Sequence, residues 1–117
     1  MKFKKTFIIA EAGVNHNGSL KKALKLVDIA KNSEVDAVKF QTFLASEEIS
    51  EGAPKAKYQI DKFKKEEDQL SMVKKLELSF KEQNKIFLYC KKRKIEFISS
   101  PFDIKSINFL KSIKINT

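Results

Sequence analysis

The sequence predicts an α/β fold, an incomplete TIM (β/α)₈ barrel made of its first three parallel β/α units. Strand-like and helix-like segments alternate three times along the 117 residues, which indicates parallel strands joined by right-handed crossovers. Each strand-like segment ends in polar groups, and barrels of this type take their catalytic groups from the carboxyl ends of several strands. A complete barrel needs roughly 250 residues, so the chain is expected to be the N-terminal part of one.

The first unit begins with a short apolar strand, predicted over Phe7 to Glu11, which ends on a carboxylate. Such a run is typical of a parallel strand covered on both faces. After a turn of small and Asx-type residues, Ser19 is a good N-cap for an amphipathic helix that should end near Asn32. No Gly-rich phosphate loop follows this strand or the later ones, so a nucleotide-binding fold has little support.

The second strand is predicted over Ala37 to Phe43, where Lys39 and Gln41 share one face and apolar side chains share the other. A charged side chain and an amide are costly on a strand face unless that face opens onto a ligand or partner groups. The following loop, roughly Leu44 to Phe63, exceeds the ~12 residues beyond which loops are usually functional or disordered. We therefore expect it to lie over a site.

The third unit follows two helical segments. A helical pattern runs from Glu66 to about Leu78, and after a break a second helix should extend to about Lys92. Ser79 and Glu82 form a capping box that predicts where this second helix begins.

The third strand is predicted over Glu96 to Ser100, and Asp103 is expected to cap a final helix carrying Ile104, Ile107 and Leu110. Parallel strands of one sheet present their carboxyl ends at the same edge. We therefore expect four polar side chains to cluster there: Glu11, Lys39, Gln41 and Ser100.

The formal net charge of +9 makes a basic nucleic-acid-binding fragment an alternative of another class. However, Arg93 is the only arginine, whereas phosphate and base recognition favour arginine. The lysines are also spread along the chain, so we interpret the charge as a solubility effect and expect no nucleic-acid partner. Salt-dependent retention on DNA would support the alternative.

The remaining composition indicates a cytoplasmic protein. Cys90 is the only cysteine, which argues against a disulfide framework or a thiolate metal cluster and fits a reducing compartment. The apolar run after Lys5 stops at Glu11, which is too early for an export signal. No stretch approaches the roughly 20 apolar residues of a transmembrane helix, so no membrane partner is expected.

Four motifs resemble the sialic acid synthases in order and spacing. They are AEAGVNHNG from Ala10 to Gly18, VKFQTF from Val38 to Phe43, APKAKYQ from Ala53 to Gln59 and SSPFD from Ser99 to Asp103. Asp68-Gln69-Leu70 and Lys75-Leu76-Glu77 add similarity to the bacterial N-acetylneuraminate synthase branch. The resemblance covers essentially the whole chain but only about the first third of a family member.

The resemblance implies a transferase that condenses phosphoenolpyruvate with N-acetylmannosamine to give N-acetylneuraminate and phosphate. It also implies a divalent ion, Mn²⁺ or Mg²⁺, that polarises the sugar aldehyde, with its ligands outside this chain. Family members have a C-terminal antifreeze-like domain and form homodimers. A sister enzyme such as a legionaminate or related nonulosonate synthase shares nearly every motif. The 117-residue chain is therefore expected to be inactive by itself.

The resemblance also implies roles for individual residues. Glu11 matches a first-strand glutamate that faces the sugar and is the candidate catalytic residue; Lys39 matches a phosphate-binding lysine. The alternative for both is an ion pair with each other inside the barrel.

The other candidates are substrate-binding residues. Gln41 matches a sugar-contacting amide, with a structural hydrogen bond as its alternative, and Ser100 stands where many members have a phosphate-contacting threonine. His16 is expected to shape the sugar pocket, or else to be structural, and Tyr58 to contact the sugar from the long loop. No metal ligand is assigned to this chain.

Overall fold

The computed structural model describes residues 5–48 and 71–113. Its three strands form one parallel sheet in the order β1-β2-β3: β1 (Ile9–Gly13), β2 (Ala37–Thr42) and β3 (Glu96–Pro101). Four helices accompany them: α1 (Leu20–Asn32), α2 (Ala45–Glu48), α3 (Phe80–Arg93) and α4 (Ile104–Ser112). A further helical stretch covers residues 71–75. The predicted order and direction of the strands are confirmed.

The first strand begins and ends two residues later than predicted. The backbone N–H of Ile8 donates to the Asp36 carboxylate at 2.7 Å, so a side chain takes this N–H, while the Ile8 C=O accepts from the Asp36 and Ala37 N–H groups. At the other end, Gly13 pairs with Phe40 after a register shift that follows Glu11. Gly13 has a φ of 55°, a left-handed conformation that glycine adopts without steric cost.

Helix α1 confirms its predicted boundaries. The Ser19 hydroxyl accepts a hydrogen bond from the Lys22 N–H and caps the helix, which ends at Asn32. Its buried residues are Ala23, Val27 and Ala30, spaced so that one face of the helix is directed at the sheet.

Helix α3 also begins where the capping box predicts. The Ser79 hydroxyl accepts from the Glu82 N–H, and the Glu82 carboxylate accepts from the Ser79 N–H. The helix ends at Arg93, and Lys94 follows in the left-handed conformation, a common way to terminate a helix.

Two predictions between β2 and α3 need correction. The start of the predicted long loop is helical, because α2 begins at Ala45; the rest of that loop lies outside the described residues. The helix predicted to reach Leu78 ends at residue 75. There Leu76 N–H bonds to Val73 C=O and Glu77 N–H to Lys74 C=O, which tightens the chain into a turn.

The core lies on one face of the sheet, against α1, α3 and α4. Val38, Phe40 and Phe97 project into it and pack with residues such as Val27, Ile86 and Cys90. The rings of Phe40 and Phe97 stack with centroids 5.9 Å apart. The opposite face carries the alternating residues of each strand; on β2 and β3 Lys39, Gln41, Ile98 and Ser100 are partly buried there, Glu96 is exposed and Ala37 is buried.

Helix α4 confirms Asp103 as its N-cap, since the carboxylate accepts from the Ser106 N–H at 2.7 Å. Of the three apolar residues predicted on this helix, Leu110 is buried, whereas Ile104 is 75% exposed and Ile107 39% exposed. Within the described part of the chain, none of the helices has the length and apolar character needed to cross a membrane.

Candidate active site

The strand register places Glu11 and Lys39 side by side on the open face of the sheet. They are paired residues of β1 and β2, and Glu11 Oε2 lies 3.6 Å from Lys39 Nζ. The side chains are 54% and 37% exposed, respectively. An ion pair this exposed contributes at most about 1 kcal/mol to stability. The predicted ion pair is therefore present, yet both charges remain accessible to a ligand.

Gln41 and Ser100 extend this cluster toward the carboxyl end of the sheet. They are paired residues of β2 and β3. Gln41 lies two positions after Lys39 on β2, and Ser100 lies two positions after Ile98, the partner of Lys39, on β3. Successive odd or even positions of a strand share a face, so Gln41 and Ser100 lie on the same face as Lys39. The structure thus brings together the four side chains that the sequence predicted.

Gly13 lies beneath the point where the side chains of Glu11 and Gln41 approach each other. A Cβ atom at this position would lie 3.4 Å from Glu11 Oε1 and 3.8 Å from Gln41 Nε2. The two side chains therefore converge over the glycine backbone. The arrangement combines a cation, a carboxylate, an amide and a hydroxyl on one accessible surface, a set able to hold an anion beside a polar sugar group.

His16 does not join this cluster. The residue is 1% exposed, its ring stacks on Phe40 with centroids 6.2 Å apart, and Phe40 belongs to the covered face. Burial lowers the pKa of His16, although the negative charge of Glu82 opposes the shift. Consistent with a neutral ring, Nδ1 accepts a hydrogen bond from the Gly18 N–H at 2.9 Å. This geometry supports the structural alternative for His16.

Two further predictions concern Tyr58 and a metal ion. Tyr58, predicted to contact the sugar, lies outside the described residues. Within residues 5–48 and 71–113, no group of three or more His, Cys, Asp or Glu side chains is placed to hold a metal ion. The described residues therefore do not form a ligand set for the expected Mn²⁺ or Mg²⁺ ion.

Sequence reasoning missed three side chains that fix the backbone where β2 ends. Asp103, predicted only as a helix cap, also accepts from the Leu44 N–H at 2.8 Å. Glu77 accepts from the Ala45 N–H at 2.7 Å, and the buried Gln83 donates to the Gln41 C=O at 3.1 Å. These bonds span 32 to 59 positions in the chain, so no local sequence pattern encodes them.

Asp103 is ionised in this role. Burial is the largest single influence on its carboxyl group and opposes ionisation. The hydrogen bonds from Leu44 and Ser106, together with the nearby Lys105 charge, outweigh burial and hold the pKa of Asp103 below its usual range. The carboxylate therefore joins the end of β2 to the start of α4.

Comparison with known proteins identifies relatives along almost the whole chain. Residues 26–117 match the NeuB family. The chain is 51% identical to the N,N'-diacetyllegionaminic acid synthase of Campylobacter jejuni, over 94% of this chain and 33% of that protein. It is 47% identical to the enzyme of the same name from Legionella pneumophila, over 92% of this chain and 30% of that protein.

A solved structure supports the same relationship. The N-acetylneuraminic acid (sialic acid) synthetase of Leptospira borgpetersenii superposes with a TM-score of 0.77 and 32% identity, over 96% of this chain and 34% of that one. The chain therefore spans about one third of the length of these relatives.

These matches confirm the predicted fold class, three parallel β/α units of a (β/α)₈ barrel, and the predicted resemblance to sialic acid synthases. These three relatives are named as synthases of sialic or legionaminic acids. The chain belongs to the NeuB family of sialic and related nonulosonic acid synthases.

Proposed function

We propose that this chain supplies three β/α units of a synthase that condenses phosphoenolpyruvate with a six-carbon acetamido sugar, giving a nonulosonate and phosphate. The observation that supports this best is the open sheet face on which Glu11 and Lys39 lie 3.6 Å apart, with the Gln41–Ser100 pair beside them. We also propose that the full-length enzyme is a homodimer and uses a divalent ion held by residues outside this chain.

Lys39 and Ser100 are the proposed phosphate-binding residues. The ammonium group supplies a compact positive charge for the phosphate, and the hydroxyl donates a hydrogen bond to it. Both side chains lie on the same face of adjacent strands, so one phosphate can contact both.

Glu11 and Gln41 are the proposed sugar-binding residues. The C2–C3 double bond of phosphoenolpyruvate supplies the electron pair that joins C3 to the aldehyde carbon, and the aldehyde oxygen becomes a hydroxyl by taking up a proton. Water adds at C2 and loses one proton, which leaves a hydroxyl on C2. This hydroxyl loses the second proton as it becomes a keto group, and the C2–O bond to phosphate breaks with its electron pair leaving on phosphate. We propose that Glu11 holds one of these protons and that Gln41 orients the sugar by hydrogen bonds.

The amino sugar that leads to N,N'-diacetyllegionaminate is the substrate favoured by sequence, because two relatives named as synthases of that product are 51% and 47% identical over more than nine tenths of this chain. N-Acetylmannosamine, which gives N-acetylneuraminate, is the second candidate. It is supported by the likeness to the Leptospira borgpetersenii synthetase.

Phosphate release by the full-length protein that contains this sequence tests the proposal. We expect release from phosphoenolpyruvate only when an acetamido sugar is present, with the diacetamido sugar used better than N-acetylmannosamine. The reverse preference would identify an N-acetylneuraminate synthase. No sugar-dependent release, together with salt-sensitive binding to DNA, would contradict the proposal and support the nucleic-acid alternative.

A matched pair of variants tests the site itself. Glu11→Gln should lower kcat by about 100-fold or more, within the range of acid–base contributions. Glu96 lies on the same sheet face but at the amino end of β3, so Glu96→Gln should keep near wild-type activity. Equal effects of the two substitutions would remove Glu11 from the reaction.

A further inference from the structure

A buried side-chain amide lies behind the strand ends that carry the candidate site. Gln83 is 1% exposed, although it stands near the start of α3 and glutamine is mostly exposed in proteins. Its Nε2 donates to the Gln41 C=O at 3.1 Å, and its Oε1 has no hydrogen-bond partner among the described residues. A buried polar atom left in this way lowers stability, so packing alone does not account for a glutamine at this position.

The Gln41 C=O is a backbone group that β1 leaves without a strand neighbour. The Thr42 C=O accepts from the Phe102 N–H and is therefore directed at the β3 side. Because successive carbonyls of a strand point to opposite sides, the Gln41 C=O is directed at the β1 side. There β1 pairs with β2 only as far as Phe40, and the Gln83 amide supplies the hydrogen bond that a further residue of β1 would otherwise give.

The backbone of Lys39 is held in a different way. Lys39 has a paired residue on β1 and another on β3, so a strand lies on each side of it. Gln41 is paired with Ser100 on β3, and on its other side it bonds to the Gln83 side chain. Loss of the Gln83 amide should therefore displace Gln41 and leave Lys39 in place.

We infer that Gln83 is a positioning residue for the amino-sugar site, and that it acts by fixing the backbone from which the Gln41 side chain extends. The inference rests on the proposed function, in which Gln41 orients the sugar. Gln83 belongs to a helix that packs on the covered face of the sheet, whereas the Gln41 side chain lies on the open face. Gln83 therefore affects the substrate through Gln41 and not by contact.

Removing the amide should separate the two substrates in steady-state kinetics of the full-length enzyme. Gln83→Met keeps the length of the side chain without an N–H donor, and Gln83→Glu keeps its shape without one. Each should raise KM for the amino sugar by about 10-fold or more, since a displacement of about 1 Å can cost up to about 100-fold. KM for phosphoenolpyruvate should be unchanged, because Lys39 and Ser100 keep their strand partners.

Two comparisons distinguish this role from a structural one. Ile86 lies on the same buried face of α3, so Ile86→Val disturbs the packing of that helix and should leave both KM values unchanged. In a protein that already carries Gln41→Ala, Gln83→Met should cause no further rise in KM for the amino sugar, because substitutions that act through one group are not additive.

Several outcomes would overturn the inference. If the wild type condenses the sugar but both Gln83 variants keep its KM, or raise both KM values alike, Gln83 is not a positioning residue, although the proposed function stands. An additive effect in the Gln41→Ala protein would show that Gln83 does not act through Gln41. Failure of both variants to fold, while Ile86→Val folds, would identify Gln83 as a structural residue. If the wild type uses no acetamido sugar, the proposed function fails and the inference fails with it.

Discussion

Replacing Lys39 with alanine in the full-length enzyme should impair the use of phosphoenolpyruvate much more than the use of the amino sugar. Lys39 Nζ lies 3.6 Å from Glu11 Oε2, and 37% of the lysine side chain is exposed on the open face. The substitution removes a positive charge from the proposed phosphate site and leaves the covered face, with its core residues, unchanged.

The size of the kinetic effect follows from the contact that Lys39 is proposed to make. A hydrogen bond to a charged group is worth about 1.5–3 kcal/mol, which corresponds to a loss of about one to two decades in kcat/KM for phosphoenolpyruvate. This loss should be confined to phosphoenolpyruvate, because a general loss of stability would lower the use of both substrates alike.

Steady-state kinetics with each substrate varied in turn would measure this, together with urea denaturation of the same proteins. Lys39→Met keeps most of the side-chain length without the charge and should resemble Lys39→Ala. Lys25, on the exposed side of α1, provides the control, and Lys25→Ala should match the wild type. An unchanged kcat/KM for phosphoenolpyruvate would refute the phosphate role, and a large loss of stability with equal effects on both substrates would show that the ion pair is mainly structural.

Three further predictions concern the turns, the Asp103 contact and the isolated chain. Gly18→Ala should destabilise the protein by at least about 1–2 kcal/mol in urea denaturation, because Gly18 has a φ of 75° and an added Cβ would lie 2.1 Å from the Lys75 oxygen; an unchanged midpoint would contradict the described packing. Asp103→Asn should lower the free energy of unfolding at neutral pH. Because the pKa of Asp103 is lowered in the folded state, the greater stability of the wild type should be present above the ordinary carboxyl pKa and should disappear as pH falls through the lowered pKa. Greater wild-type stability that persists in strong acid would exclude ionisation of Asp103 as its source. Residues 1–117 expressed alone should release no phosphate. They should also aggregate or form irregular oligomers, because the described β1 and β3 each leave one strand edge unpaired. A sharp monomer peak in light scattering, together with synthase activity, would contradict this prediction.

The elements that local patterns encode were predicted well. Ser19 and the Ser79–Glu82 box gave the starts of α1 and α3, because capping depends on residues within one helical turn. The alternation in β2 predicted that Lys39 and Gln41 share a face, since side chains of a strand alternate between its faces. Much of the candidate cluster could therefore be predicted from the sequence.

The remaining features depend on contacts between distant positions. Phe7 and Ile8 are apolar, yet the Asp36 carboxylate binds the Ile8 N–H and β1 begins at Ile9. The second bond of Asp103, to Leu44, joins residues 59 positions apart. For His16, the only histidine, the sequence left both a pocket-shaping and a structural role open, because the direction of its ring depends on packing against Phe40, which no local pattern specifies.

A structure of the full-length enzyme with phosphoenolpyruvate bound would test the proposed site most directly. We expect phosphate oxygens within about 3 Å of Lys39 Nζ and Ser100 Oγ, the ordinary hydrogen-bond distance, with the enol carbon directed toward Glu11 and Gln41. Phosphoenolpyruvate bound away from this sheet face, with Lys39 still paired only to Glu11, would contradict the proposed site.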